Sequence, residues 1–177
     1  DIEPSRGLGD VYKRQSIDHA AEILDIESRR QKSSSFSLRI DDKSLQEFND
    51  EFPFTETHDQ VVSFNSIQKD LSLIKPMNRV LCGDVGFGKT EVAMRAAYIS
   101  AFSGKQVVLI VPSTILCDQH FNSFIKRFMN FPVSIKKLNR HTTLKNKKEI
   151  INDFNNFKIV LLIRPHLICI LGLIHIC

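Results

Sequence analysis

The sequence predicts an α/β domain in which a mostly parallel sheet carries helices on both faces. Three observations support this. Short apolar runs recur at 79–82, 106–111, 132–138 and 159–163, as expected of buried strands. The stretches between the later runs repeat their apolar residues at helical spacing. A glycine-rich octapeptide, 83–90, joins the first run to a helical stretch, giving the strand, loop, helix, strand order of a parallel crossover unit.

In chain order, residues 17–32 read as a helix with Ile17, Ala20, Ala21, Leu24 and Ser28 on one stripe and Arg29, Arg30 and Lys32 at its C-terminal end. Ser33, Ser34 and Ser35 mark a linker, and a short amphipathic piece follows with Leu45 and Phe48 on one side. Residues 16–50 are thus a helical linker ahead of a domain over 51–163. Thr57 opens the next helix, whose apolar stripe is Phe64, Ile67, Leu71 and Ile74. Thr57 and Gln60 have the spacing of a capping box. Gln60 has a second reading, because a side-chain amide donates and accepts together and can read an adenine edge. A Phe54, Thr57, Gln60 cluster just ahead of a phosphate loop favours that second role, and the two can coexist.

Residues Gly83, Asp84, Val85, Gly86, Phe87, Gly88, Lys89 and Thr90 form the phosphate-cradling pattern. Its glycines let the backbone curl with N–H groups inward. Lys89 can reach the β- and γ-phosphates of a bound nucleotide, and Thr90 can ligate Mg²⁺. Residues 91–103 continue as a helix through Val92, Ala96, Ile99 and Phe102, with Gly104 as its stop. After the strand at 106–111, Ser113 or Thr114 caps a helix carrying Phe121, Phe124, Ile125 and Phe128 at helical spacing, whose phenylalanines share one stripe and belong to the core. Ser113 and Thr114 also offer hydroxyl and N–H groups to a nucleic-acid phosphate. Beyond the strand at 132–138, residues 143–155 form a helix with Leu144, Ile151 and Phe154 inward and Lys145, Lys147 and Lys148 outward as a solvated face.

The chain has 177 residues, 42% of them apolar, enough for one domain with its own core. A net charge of +4 permits a nucleic-acid partner without requiring one. Cys82, Cys117, Cys169 and Cys177 lack metal-ligand spacing and suit a reducing cytoplasm, and the six histidines are scattered. No signal peptide is evident, and the apolar stretch from Ile159 onward is interrupted by Arg164, Pro165, His166 and His175, a poor membrane span. Residues 10–15 and 171–176 can be encoded by inverted copies of one DNA sequence, apart from one position. Residues 1–15 and 164–177 therefore read as translated adapter, and the natural part as a truncated piece of a longer protein.

The stretch 52–140 resembles the first motor domain of the bacterial transcription-repair coupling factors. The likeness rests on Phe52-Pro53-Phe54 with Thr57, Asp59 and Gln60, on Gly83 to Thr90 continuing as Glu91-Val92-Ala93-Met94-Arg95-Ala96-Ala97, and on Val111-Pro112-Ser113-Thr114. Residues 20–26 resemble that family's relay helix. Fork-reversing helicases share the Gly83 to Gly86 pattern but usually have serine where Phe87 stands. The resemblance implies a P-loop RecA-like fold and a superfamily 2 double-stranded DNA translocase that hydrolyses ATP with Mg²⁺, displaces stalled RNA polymerase and recruits excision-repair proteins. It implies adenine at Gln60 beside Phe54, phosphate and Mg²⁺ at Lys89 and Thr90, and DNA backbone at Ser113, Thr114 and Arg140. Where the family has Ile-Gly-Thr-His, this chain has Ile163-Arg164-Pro165-His166, so no site is assigned past Ile163. The family's acidic box and arginine finger are not in the chain, which implies negligible ATPase turnover for the chain alone. Fork-reversing helicases, P-loop kinases or GTPases, and a non-catalytic nucleotide-binding module are the alternatives.

Overall fold

The computed structural model describes residues 6–165, with side chains from residue 11 onward. Its elements are α1 (Arg6–Lys32), α2 (Asp42–Asp50), α3 (His58–Leu71), α4 (Lys89–Phe102), β1 (Val107–Val111), α5 (Thr114–Arg127), β2 (Ile135–Lys137), α6 (Leu144–Asn155) and β3 (Leu161–Pro165). The strands form one parallel sheet in the order β1-β3-β2, each connection crossing over through a helix. The central β3 is buried along its whole length, which explains its unbroken apolar run.

Alternation along the strands distributes side chains to two cores. Val107, Leu109, Val111, Leu161 and Ile163 pack with Met94 and Tyr98 of α4, Cys117 and Phe124 of α5, and Leu45 and Phe48 of α2. Val108 and Leu162 pack on the other face with Leu138, Ile159, and Ile150 and Phe154 of α6. Both faces are therefore covered, as the periodicity predicts. Phe48 stacks on Tyr98 at 4.1 Å between ring centroids and meets Phe128 and Phe131 at 5.1 Å. α2, grouped with the linker on sequence, thus contributes the middle of an aromatic cluster. The segment between α1 and α2 is tied along the end of α3 by Ser35 N–H to Ile74 carbonyl at 2.8 Å and Leu38 N–H to Leu71 carbonyl at 2.9 Å.

Five expectations need correction. Residues 79–82 are not a strand: among the described residues no strand pairs with them, and Val80 is 83% exposed. An apolar run supplies a strand's side chains but not the neighbour that completes its hydrogen bonds. Leu144 is 79% exposed, because it is the first residue of α6 and projects off the helix end. Ile74 is exposed because α3 stops at Leu71 with Ser72 as its C-cap, so Ile74 never joins the stripe. Helix α1 starts at Arg6, ahead of the expected 17–32, with no proline to interrupt it, and its Ile17 and Leu24 are exposed rather than packed. At the other end the ladder continues through Arg164 and Pro165, opposite Ile110 and Val111, two residues past the expected strand. The expectation for 166–177 lies outside the described residues.

Candidate functional site

The 83–90 loop turns directly into α4. Gly86 and Gly88 have φ of 88° and 68°, a left-handed conformation that L side chains rarely adopt. Gly88 is the N-cap of α4 and, lacking a side chain, leaves the helix N-terminus without a side-chain acceptor. The helix dipole adds partial positive charge there. Lys89 folds back over the loop, its Nζ donating to the carbonyls of Gly83 and Asp84, both at 2.6 Å. Thr90 follows in the first turn, half-buried, while Asp84, Val85 and Phe87 are exposed along the loop.

Gln60 meets this loop from α3. Thr57 and Gln60 form the complete capping box: Gln60 N–H donates to Thr57 Oγ1 at 3.3 Å, and Thr57 N–H donates to Gln60 Oε1 at 2.9 Å. The other end of the amide, Nε2, donates to the Phe87 carbonyl at 3.0 Å. Gly88 makes this approach possible, since a Cβ there would collide with Gln60 Nε2. Phe54 stands apart, 72% exposed and edge-on to Phe52 with centroids 5.5 Å apart. The structure thus brings together Gln60, Phe87, Gly88 and Lys89.

Ser113, Thr114 and Arg140 lie at a second place. Ser113 caps α5 through Oγ, which accepts from Leu116 N–H at 3.2 Å, and Thr114 is the first helical residue. Arg140 is exposed on the turn after β2. Buried Asn139 organises that turn: its Oδ1 accepts from His141 N–H at 3.0 Å, and its Nδ2 donates to Asp118 Oδ1 at 3.2 Å. Lys137 Nζ joins Asp118 at 2.6 Å. Asp118 lies one turn into α5, so this network docks the Arg140 turn on the helix that Ser113 and Thr114 begin.

Sequence reasoning missed the ionic residues behind the loop. Glu91, in the first turn of α4, accepts from Arg95 Nε at 3.0 Å and from Arg127 Nη2 at 2.9 Å, and Arg95 also pairs with Glu56. The four-residue spacing of Glu91 and Arg95 on a helix was a readable signal. Nothing local marks Arg127 or Glu56 as their partners.

Residues 57–172 match the family model described as DEAD/DEAH box helicase. The chain belongs to that family. This helicase-family chain is similar to the transcription-repair-coupling factors of Haemophilus influenzae and Escherichia coli, at 43% and 42% identity over 149 residues. Each alignment covers 84% of this chain and 13% of the relative, so the chain spans a small part of the proteins it matches. Among solved structures, RecG bound to a three-way DNA junction is similar with a TM-score of 0.76 and 33% identity, over 81% of this chain and 20% of that one. The sheet and crossover helices described above are thus those of a helicase-type α/β domain. Among the described residues, no helix is long and apolar enough to cross a membrane.

Proposed function

We propose that the 83–90 loop binds the polyphosphate of Mg·ATP and that 51–163 belong to the first motor domain of an ATP-dependent double-stranded DNA translocase. One observation carries this reading: two left-handed glycines lead into a helix N-terminus without a side-chain acceptor, under the ammonium group of Lys89. That donor set suits a polyanion. Lys89 would exchange the carbonyls of Gly83 and Asp84 for phosphate oxygens, a charge-assisted bond in place of neutral ones. Thr90 would hold Mg²⁺, which when bound offsets phosphate charge. Gln60, already on the loop, would turn its amide to adenine beside Phe54. Arg140, Ser113 and Thr114 would meet the DNA backbone, which fits contacts that fix position rather than read sequence.

The likeness to transcription-repair-coupling factors supports assigning the longer protein to displacement of stalled RNA polymerase at lesions and recruitment of excision-repair proteins in the cytoplasm. ATP hydrolysis would belong to that longer protein. A second reading, remodelling of branched DNA, draws on the likeness to junction-bound RecG. Competition titration with a fluorescent ATP analogue and Mg²⁺ tests the nucleotide site. Displacement by ATP ahead of GTP is expected, and no saturable binding would overturn the proposal.

A further inference from the structure

A chain of four charges, closely buried at Glu91, Arg95 and Arg127 and half-buried at Glu56, joins the segment carrying Gln60 to the first turn of α4. Glu56, just before the Thr57 cap of α3, pairs with Arg95, whose side chain is 5% exposed. Arg95 Nε donates to Glu91 Oε1 one helical turn back. Arg127, at the end of α5, closes on the same carboxylate with Nε 3.1 Å from Oε2 and Nη2 2.9 Å from Oε1. The Arg127 Nη2 also donates to the Phe48 carbonyl at 2.6 Å. Two acids and two bases balance, as buried charges require.

Within this chain, Glu56 is the charged member that rides on the Gln60 segment. Gln60, Glu56, Glu91 and Arg95 line one small void together with Phe52 and Phe64. The Arg95 guanidinium lies 5.4 Å from the Phe52 ring centre and 5.3 Å from that of Phe64. The Glu56–Arg95 pair therefore holds the α3 N-terminus laterally against α4, where a shift of about an ångström would break the 3.0 Å bond from Gln60 to Phe87. Lys89 is not part of the network.

We propose that Glu56 is a positioning residue for base discrimination: through Arg95 and Glu91 it ties the start of α3 to the helical turn after the phosphate loop, and so fixes where the Gln60 amide stands. This rests on the nucleotide-site reading above. The test titrates the 177-residue chain, Glu56→Gln, Glu56→Asp, Gln60→Ala and the Glu56→Gln/Gln60→Ala double variant with Mg·ATP, Mg·GTP and magnesium tripolyphosphate, with melting curves alongside. Glu56→Gln should lower the ATP-to-GTP affinity ratio about tenfold, with tripolyphosphate affinity within about twofold of the parent. Glu56→Asp, which keeps the charge, should lower the ratio only about threefold. The double variant should match Gln60→Ala, because the two residues act through one contact. A lower melting temperature with an unchanged ratio in Glu56→Gln, while Gln60→Ala loses discrimination, overturns this inference alone. An unchanged ratio in Gln60→Ala with tripolyphosphate still bound overturns it together with the base-reading role. Failure of the parent chain to bind tripolyphosphate overturns it together with the loop assignment. If Glu56→Gln does not fold, Glu56→Asp carries the comparison, and an unchanged ratio there overturns the inference.

Discussion

Gln60 donates from Nε2 to the carbonyl of Phe87 at 3.0 Å, while its Oε1 accepts from the Thr57 N–H at 2.9 Å. One amide therefore closes the cap of α3 and grips the phosphate loop. Capping draws on Oε1 and the loop contact on Nε2, whereas base reading needs both atoms, so an adenine edge would compete with both contacts.

That competition separates two substitutions. Gln60→Glu keeps the acceptor of the capping box but sets a carboxylate against the Phe87 carbonyl, so it should keep the cap of α3, melt below the parent and lose preference for ATP over GTP. Gln60→Ala should lose both, with about 1 kcal/mol of stability and about 1–3 kcal/mol of base discrimination, by analogy with amide readout of adenine in DNA. Melting curves with paired ATP and GTP titrations check it. An unchanged preference in both variants would leave Gln60 only its cap.

Duplex DNA binding should be salt-sensitive and indifferent to sequence. Arg140→Ala should lower the slope of log affinity against log salt by about 1, the loss of a single phosphate contact. Binding isotherms at several salt concentrations on unrelated duplexes measure this. A slope unchanged by the substitution would remove Arg140 from the interface.

Phe157 has φ of 58° and its ring is 70% exposed, so a strained backbone is offset by little burial. Phe157→Gly should stabilise the fold by roughly 0.5–1 kcal/mol, since glycine adopts this conformation without a Cβ clash. That corresponds to a rise in melting temperature of about 2–3 °C for a domain of this size.

Burial raises the pKa of the Cys117 thiol, with the neighbouring Asp118 charge adding to the effect, and the Sγ donates to the Ile163 carbonyl at 3.6 Å. A raised thiol pKa means that the neutral form is favoured in the fold. The associated stability is complete below the unfolded thiol pKa and is lost as pH rises through the folded one. Alkylation followed by peptide mapping at mildly alkaline pH should modify exposed Cys82 quickly and Cys117 only on unfolding. Equal rates would contradict the packing of α5 on β3.

The sequence made the layered architecture legible because parallel strands and amphipathic helices have different periods, and β1, α5, α6 and β3 all follow their pattern. The exposed ends of stripes were not legible. Leu144 and Ile74 keep the helical spacing, but a helix stops where its caps close, and both residues fall at or beyond that point. The run 79–82 failed as a strand because hydrogen-bond pairing is a property of two segments. At the site, the residue types of 83–90 revealed the loop. The hold of Gly83 and Asp84 on Lys89 and the reach of Glu56 to Arg95 and of Arg127 to Glu91 depend on contacts that no local pattern encodes.

The central claim is that Lys89 and the loop beneath it bind the phosphates of Mg·ATP, and a calorimetric titration of Lys89→Ala beside the parent chain tests it most directly. Lys89 Nζ bonds only to loop carbonyls among the contacts described, so its removal costs little packing. The variant should melt within a few degrees of the parent, while its affinity falls by at least about 2 kcal/mol, the scale of a lost charge-assisted contact. Equal Mg·ATP affinity in the two folded proteins would contradict the assignment of the phosphate site.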